Sequence, residues 1–211
     1  ISNYLRFKQY SKALSETERL IKEYPSYNEF RILLIEINLM AGDIGKAKKI
    51  AEEILIEDSI NGPALVKLAN ISLHEKRIND SFIYSNKAFA MPEVNIDEKM
   101  ALMLYYYDLS NISSDYQNEI YGLAELLTAT HPKNPKGYSI YGDLLRRDRQ
   151  YEKALKQFKE AVNLAPDKHL IWEEIVLLEN QLNFTDSMIA DCERAIEIFP
   201  SMPLFYLMQG I

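Results

Sequence analysis

The sequence predicts an all-α chain of about six stacked helix pairs, and three observations carry that prediction. Residue types recur every 34 positions: Pro132, Pro166 and Pro200; Tyr138, Trp172 and Tyr206; Ala161 and Ala195; Gly142 and Gly210. Within each period, apolar residues fall at helical spacing on two successive segments. Nowhere do apolar and polar residues alternate as they would on a half-buried strand. A helix pair of this size buries its apolar face only against a neighbouring pair, so a run of them forms a solenoid.

These columns divide the 211 residues into a partial repeat 1–27, repeats 28–61, 62–95, 96–134, 135–168 and 169–202, and a partial repeat 203–211. The first partial repeat lacks most of its opening helix, and its second helix carries Tyr10 and Ala13. Repeat 28–61 places Leu34 and Ile35 on its first helix and Ile44, Ala47, Ala51 and Ile54 on its second. Repeat 62–95 does the same with Leu68 and Ala69, then Ile78, Ser81, Ser85 and Ala88. The next members of the Ile78 and Ser81 columns are Tyr151 and Ala154, 73 residues on, which is two periods and five residues more. Repeat 96–134 therefore carries a five-residue insertion, expected in the polar stretch from Ser110 to Asp115. Ser114 with Gln117 three positions later reads as a capping box opening the second helix, and Ala124, Leu127 and Pro132 follow.

Repeat 135–168 has Tyr138, Tyr141, Leu144 and Leu145 on its first helix and Tyr151, Ala154, Leu155, Phe158, Ala161 and Val162 on its second. The polar run Arg146–Gln150 turns between them. Repeat 169–202 offers Trp172, Ile175 and Val176, then Met188, Cys192 and Ala195. The proline after each later second helix ends it, because proline cannot extend the hydrogen-bond ladder and restricts the residue before it. Ala154, Ala161 and Gly142 are expected where the helices of one pair approach closely. Trp172 and Phe158 are then expected to fill the space between successive pairs.

Composition agrees with a folded chain. Hydrophobic residues are 47% and charged residues 26%, enough apolar surface to offset the entropy of ordering. The formal charge of −7 argues against unselective attraction to nucleic acid or to an anionic membrane. A single cysteine excludes an internal disulfide framework. The longest apolar run, Ala101 to Tyr107, is too short to cross a bilayer, so no direct membrane insertion is expected. A start at Ile1 and an end inside an apparent helix predict a piece of a longer protein. Richness in Ile, Asn and Lys suggests an AT-rich bacterial genome, and a soluble protein of the cytoplasm or cell envelope, with the compartment open.

The pattern resembles the tetratricopeptide-repeat family, whose signature is an aromatic, Leu-Gly and Tyr on the first helix, then Ala, an aromatic, Ala and Pro on the second. Tyr138, Tyr141-Gly142, Leu145, Ala154, Phe158, Ala161 and Pro166 are the nearest copy. The next carries Trp172, Ile175-Val176, Met188, Cys192, Ala195 and Pro200, and the earlier repeats are weaker. The resemblance covers essentially the whole chain. It implies a right-handed α-α superhelix that binds a peptide or protein surface in its concave groove, lined by the first helix of each pair.

On that reading the residues facing a ligand are Glu29, Ile32, Glu36 and Leu39, then Val66, Asn70 and Leu73, then Met100, Leu104 and Tyr107. The later repeats add Lys136, Ser139, Asp143, Arg146 and Arg147, then Glu173, Leu177 and Asn180. The groove would be apolar and aromatic in its middle, with positive charge from Lys136, Arg146 and Arg147, and would suit apolar anchors beside a carboxylate. The alternative for the arginines is a solvated surface turn, the commoner fate of exposed charge. Tyr105, Tyr106 and Tyr107 cannot all be buried on one face, because successive helical residues turn by about 100°. The family's two-carboxylate clamp is expected to be absent: Asn70 and Lys136 match two of its positions, but Val66 and Ile140 stand where a lysine and an arginine belong.

Catalytic signatures are lacking. His74, His131 and His169 lie in different repeats, no HExxH or paired-cysteine spacing occurs, and no phosphate loop, GxGxxG or GxSxG is present. No metal and no cofactor are therefore expected, and Cys192 falls in a small-residue packing column. The leading expectation is a non-catalytic scaffold with a protein or peptide partner and no nucleic acid. The alternatives are the substrate-recruiting arm of an enzyme whose catalytic domain lies elsewhere, and a structural repeat that self-associates through its open ends.

Overall fold

The computed structural model describes residues 1–210, and Ile211, where the last partial repeat ends, lies outside them. The described residues form thirteen α-helices and one 3-10 turn, with no strand among them. The chain divides into two compact units, Ile1–Leu102 and Met103–Ile211. Among the described residues no helix is long and apolar enough to cross a membrane.

The first unit contains α1 (Ser2–Arg6), α2 (Tyr10–Glu23), α3 (Asn28–Met40), α4 (Ile44–Glu57), α5 (Gly62–His74), α6 (Ile78–Phe89) and the start of α7 (Ile96–Ile112). Its core gathers Ile35, Ala47, Ala51, Ile54, Ala64, Leu68 and Ile71, so the Ala47 and Ala51 column does lie at a close helix contact. The Asp43 and Asn61 side chains accept the N–H groups of Lys46 and Ala64 and cap α4 and α5. Lys99 is fully buried, and its ammonium donates to the carbonyls of Phe89 and Met91 at 3.1 and 2.7 Å. Burial pushes its pKa down to about 8.

The second unit holds the rest of α7, a 3-10 turn (Ser114–Tyr116), α8 (Gln117–Thr130), α9 (Pro135–Arg147), α10 (Tyr151–Leu164), α11 (His169–Gln181), α12 (Thr185–Ile198) and α13 (Pro203–Gln209). Its core joins Leu145, Leu155, Phe158, Trp172, Ile175, Val176, Met188 and Cys192. The sequence columns acquire a physical meaning here. Tyr138 Oη donates to the Pro132 carbonyl at 3.2 Å, Trp172 Nε1 to that of Pro166 at 2.9 Å, and Tyr206 Oη to that of Pro200 at 3.0 Å. Each proline ends a second helix and leaves a carbonyl that the aromatic of the following helix satisfies.

A further column appears only in the backbone. Lys8, Gly42, Lys76, Arg149 and Asn183 all have positive φ, between 55° and 83°. They share the 34-residue spacing once the insertion is allowed for. After each, the next N–H bonds five residues back: Gln9 to Tyr4, Asp43 to Asn38, Arg77 to Ser72, Gln150 to Leu145 and Phe184 to Glu179. This is the left-handed helix stop that turns α1, α3, α5, α9 and α11 into the second helices that follow them, while α7 passes into α8 through the 3-10 turn instead.

The stretch from Ser110 to Asp115 is taken up by the end of α7 and the 3-10 turn: α7 runs on to Ile112, 17 residues where its counterparts α3, α5, α9 and α11 have 13. Two local expectations need correction. Ser114 does not cap α8, whose N-cap is Tyr116 with no side-chain cap hydrogen bond; the Ser113 hydroxyl instead accepts the Asp115 N–H at 3.1 Å and caps the 3-10 turn. Phe158 does not merely fill space between pairs. Its ring lies within its own pair over Gly142, where a Cβ would meet it at 2.6 Å.

Candidate binding face

Equivalent positions on five first helices are Glu36, Asn70, Leu104, Asp143 and Leu177, spaced 34, 34, 39 and 34 apart. All five stay outside the core, and Leu104 and Leu177 are 54% and 46% exposed. Leu177 lies between the buried Val176 and Leu178, and Leu104 follows the buried Met103 and precedes the exposed Tyr105, so each presents apolar surface that a partner could cover.

In the first unit, Ile32 and Glu36 line a surface cavity of about 240 Å³. Glu36 also pairs with Lys67 at 2.7 Å, and Lys67 pairs with Glu98 at 3.0 Å. The three residues are 31 apart, three short of the period. That offset is the sequence signal that marks Lys67, rather than its neighbour Val66, as the partner of Glu36. Val66 itself is buried, 1% exposed, and so is Leu73 at 6%. They are removed from the candidate set, because α5 is enclosed at nearly every position from Ala64 to Leu73. Asn70 remains half-buried, its amide donating to the Val66 carbonyl at 3.1 Å. Met100 is half-buried on α7.

In the second unit the three tyrosines separate as helical geometry requires: Tyr106 is fully buried, Tyr105 is 44% exposed and Tyr107 is half-buried. The Arg147 guanidinium lies 5.4 Å from the centre of the Tyr107 ring. It also donates to both Asp148 oxygens, at 2.8 and 2.9 Å, and to Ser110. Asp148 further accepts from Tyr121 Oη and Gln117 Nε2, both at 2.6 Å. Its carboxyl is held down at about 2, chiefly by the Arg147 hydrogen bonds.

The expected cationic stretch is therefore largely spent within the chain. Arg147 is committed to Asp148, and Arg146 Nε lies 3.0 Å from Glu174 Oε2. Asp143, half-buried, stands 31 residues before Glu174, in the register by which Glu36 meets Lys67. Burial pushes its pKa up to about 6, the Arg146 charge opposes this and the Glu174 charge adds to it. Lys136 is exposed at the start of α9. Glu174 and Asp148 balance these arginines, and nothing in their spacing marks Glu174 as the partner of Arg146. No group of three or more metal-ligand side chains that could hold an ion occurs among the described residues. The buried Cys192 thiol is pushed up to about 11, away from nucleophilic use.

No family model and no curated protein matches the sequence. Solved structures do. YrrB, described as a tetratricopeptide-repeat protein with an unusual peptide-binding site, superposes with a TM-score of 0.57 at 14% identity, over 92% of this chain and 98% of its own. PilF of Pseudomonas aeruginosa gives 0.58 at 15% identity, over 99% and 92%. The C-terminal part of a tetratricopeptide-repeat protein from Cytophaga hutchinsonii gives 0.62 at 13% identity, over 93% and 77%. The chain has the helical-repeat fold of these proteins.

Proposed function

We propose that the chain is a non-catalytic interaction scaffold that presents the first helix of each pair to a peptide or protein surface. The observation that carries this reading is the column Glu36, Asn70, Leu104, Asp143 and Leu177, kept out of the core on five helices with two of its members apolar and exposed. Apolar burial at Ile32, Leu104 and Leu177 supplies affinity, and the charged neighbours set direction. The likeness to a repeat protein with a peptide-binding site supports the same reading.

A site-specific photo-crosslinker tests it. Placed at Leu104 or Leu177, it is expected to capture a partner from native lysate. Placed at Glu52 or Asn163, which are exposed on the second helices α4 and α10, it is expected to capture none. Equal or stronger capture from the second helices would refute the assignment of the face.

A further inference from the structure

We infer that the segment this face captures is cationic as well as apolar: an aliphatic or aromatic anchor flanked by lysine or arginine. This rests on the scaffold reading and names the chemistry of its ligand. It reverses the sequence expectation of a carboxylate-bearing partner, because the charge left over on each unit, after internal pairing, is negative.

The cavity on the first unit is lined by the apolar Ile32, Leu33 and Pro63 together with Asn28, Glu29, Glu36 and Asn61. At about 240 Å³ it takes one large side chain, below the roughly 300 Å³ at which small-molecule pockets begin. Lys67 is already shared between Glu36 and Glu98. Glu29, Glu36, Glu98 and Lys67 together carry three negative charges and one positive. An anchor that enters beside a cation gains attraction there, and one beside a carboxylate meets repulsion.

The second unit shows the same sign independently. Asp143, Glu173 and Glu174 outnumber Arg146 and Lys136 on the two first helices α9 and α11, and Glu173 and Glu174 precede the exposed Leu177 by one helical turn. Of the three cations expected to receive a carboxylate, Arg147 is occupied by Asp148 and Arg146 by Glu174.

Three pools of fluorescein-labelled decapeptides test the proposal by anisotropy. Each pool fixes two apolar positions as Leu or Phe, flanked by Lys/Arg, by Glu/Asp or by Ser/Gln. The Lys/Arg pool is expected to bind about tenfold more tightly than the Glu/Asp pool, and less tightly as salt is raised. The double variant Glu29→Gln, Glu36→Gln is expected to weaken it by about tenfold. Lys67 keeps Glu98 in that variant, and circular dichroism checks that it folds. Glu52→Gln with Glu53→Gln on α4 is the control that leaves binding unchanged. Equal binding of the Glu/Asp pool, or no effect of the Glu29 and Glu36 changes, overturns the proposal. If only the Ser/Gln or Glu/Asp pool binds, and Ile32→Glu abolishes that binding, the cationic ligand fails while the scaffold stands. If no pool binds, both fail.

Discussion

Gly142 and Gly122 allow one substitution to be read with opposite signs. A Cβ on Gly142 would stand 2.6, 2.8 and 2.9 Å from Cε1, Cδ1 and Cζ of Phe158. Carbon atoms pack at about 3.5–4.0 Å, so the ring must retreat by about an ångström. Phe158 is 1% exposed and shares its core with Leu145, Leu155, Trp172 and Ile175, which leaves it nowhere to go. Overpacking of this kind costs about 1–3 kcal/mol, against about 1 kcal/mol that Ala gains over Gly inside a helix. Gly142→Ala is therefore expected to destabilise by about 1 kcal/mol. Nothing lies within 4 Å of a Cβ on Gly122, in the middle of α8, so Gly122→Ala is expected to stabilise by up to about 1 kcal/mol. Urea unfolding followed by fluorescence of the single tryptophan, Trp172, reads both. Phe158→Leu combined with Gly142→Ala is expected to cost less than the two singly, since the smaller side chain makes room for the methyl. Equal stabilisation by the two alanines, or strict additivity in the double variant, would refute the steric argument.

Asp148 and Asp143 give opposite pH dependences in the range below neutrality. The Asp148 carboxyl is held at about 2, below its ordinary 3.8, so its contribution is present above pH 4 and lost as pH falls toward 2. Asp148→Asn is expected to be less stable than wild type at neutrality, by at most about 2 kcal/mol, and to converge with it in acid. Asp143 is raised from 3.8 to about 6, so the folded chain holds a proton that the unfolded chain has released, and stability falls as pH rises between those values. Asp143→Asn is expected to match wild type near pH 4 and to exceed it at pH 7; thermal melts across that range check both. Lys76 holds φ at 59°, a conformation costing a side chain about 1 kcal/mol, so Lys76→Gly is expected to raise the melting temperature. A lowered melting temperature would show that side-chain contacts of Lys76 outweigh the strain.

The fold was legible where one physical job is always given to one residue type. Prolines that stop helices and aromatics that bond to the carbonyls they leave recur as Pro132, Pro166 and Pro200 with Tyr138, Trp172 and Tyr206. The left-handed helix stops do an equally regular job, but with Lys, Gly, Lys, Arg and Asn, so no sequence column betrays them. Lys99 stands 39 residues before Tyr138, at its register, and also reaches carbonyls at the end of the preceding helix, yet an ammonium does not resemble a phenol in sequence. The spacing of the candidate face is visible in the sequence, and the pairing of its charges is not. Val66 fell out because α5 is enclosed beyond what an amphipathic stripe predicts, and Lys67 beside it, itself largely buried, reaches Glu36 and Glu98 instead. The arginines were visible as charge, but their partners Asp148 and Glu174 become partners only once the helices are paired.

The bonds from aromatic to proline carbonyl also give loss of order a direction within the second unit. The chain leaving α8, α10 or α12 is fastened by the side chain of the helix that follows it, so it cannot fray until that helix lets go. Opening from α13 frees Pro200 first, then α11 releases Pro166, and α9 releases Pro132 last. Amide hydrogens are then exchanged in steps, repeat by repeat, with the slowest ones toward α8 and α9.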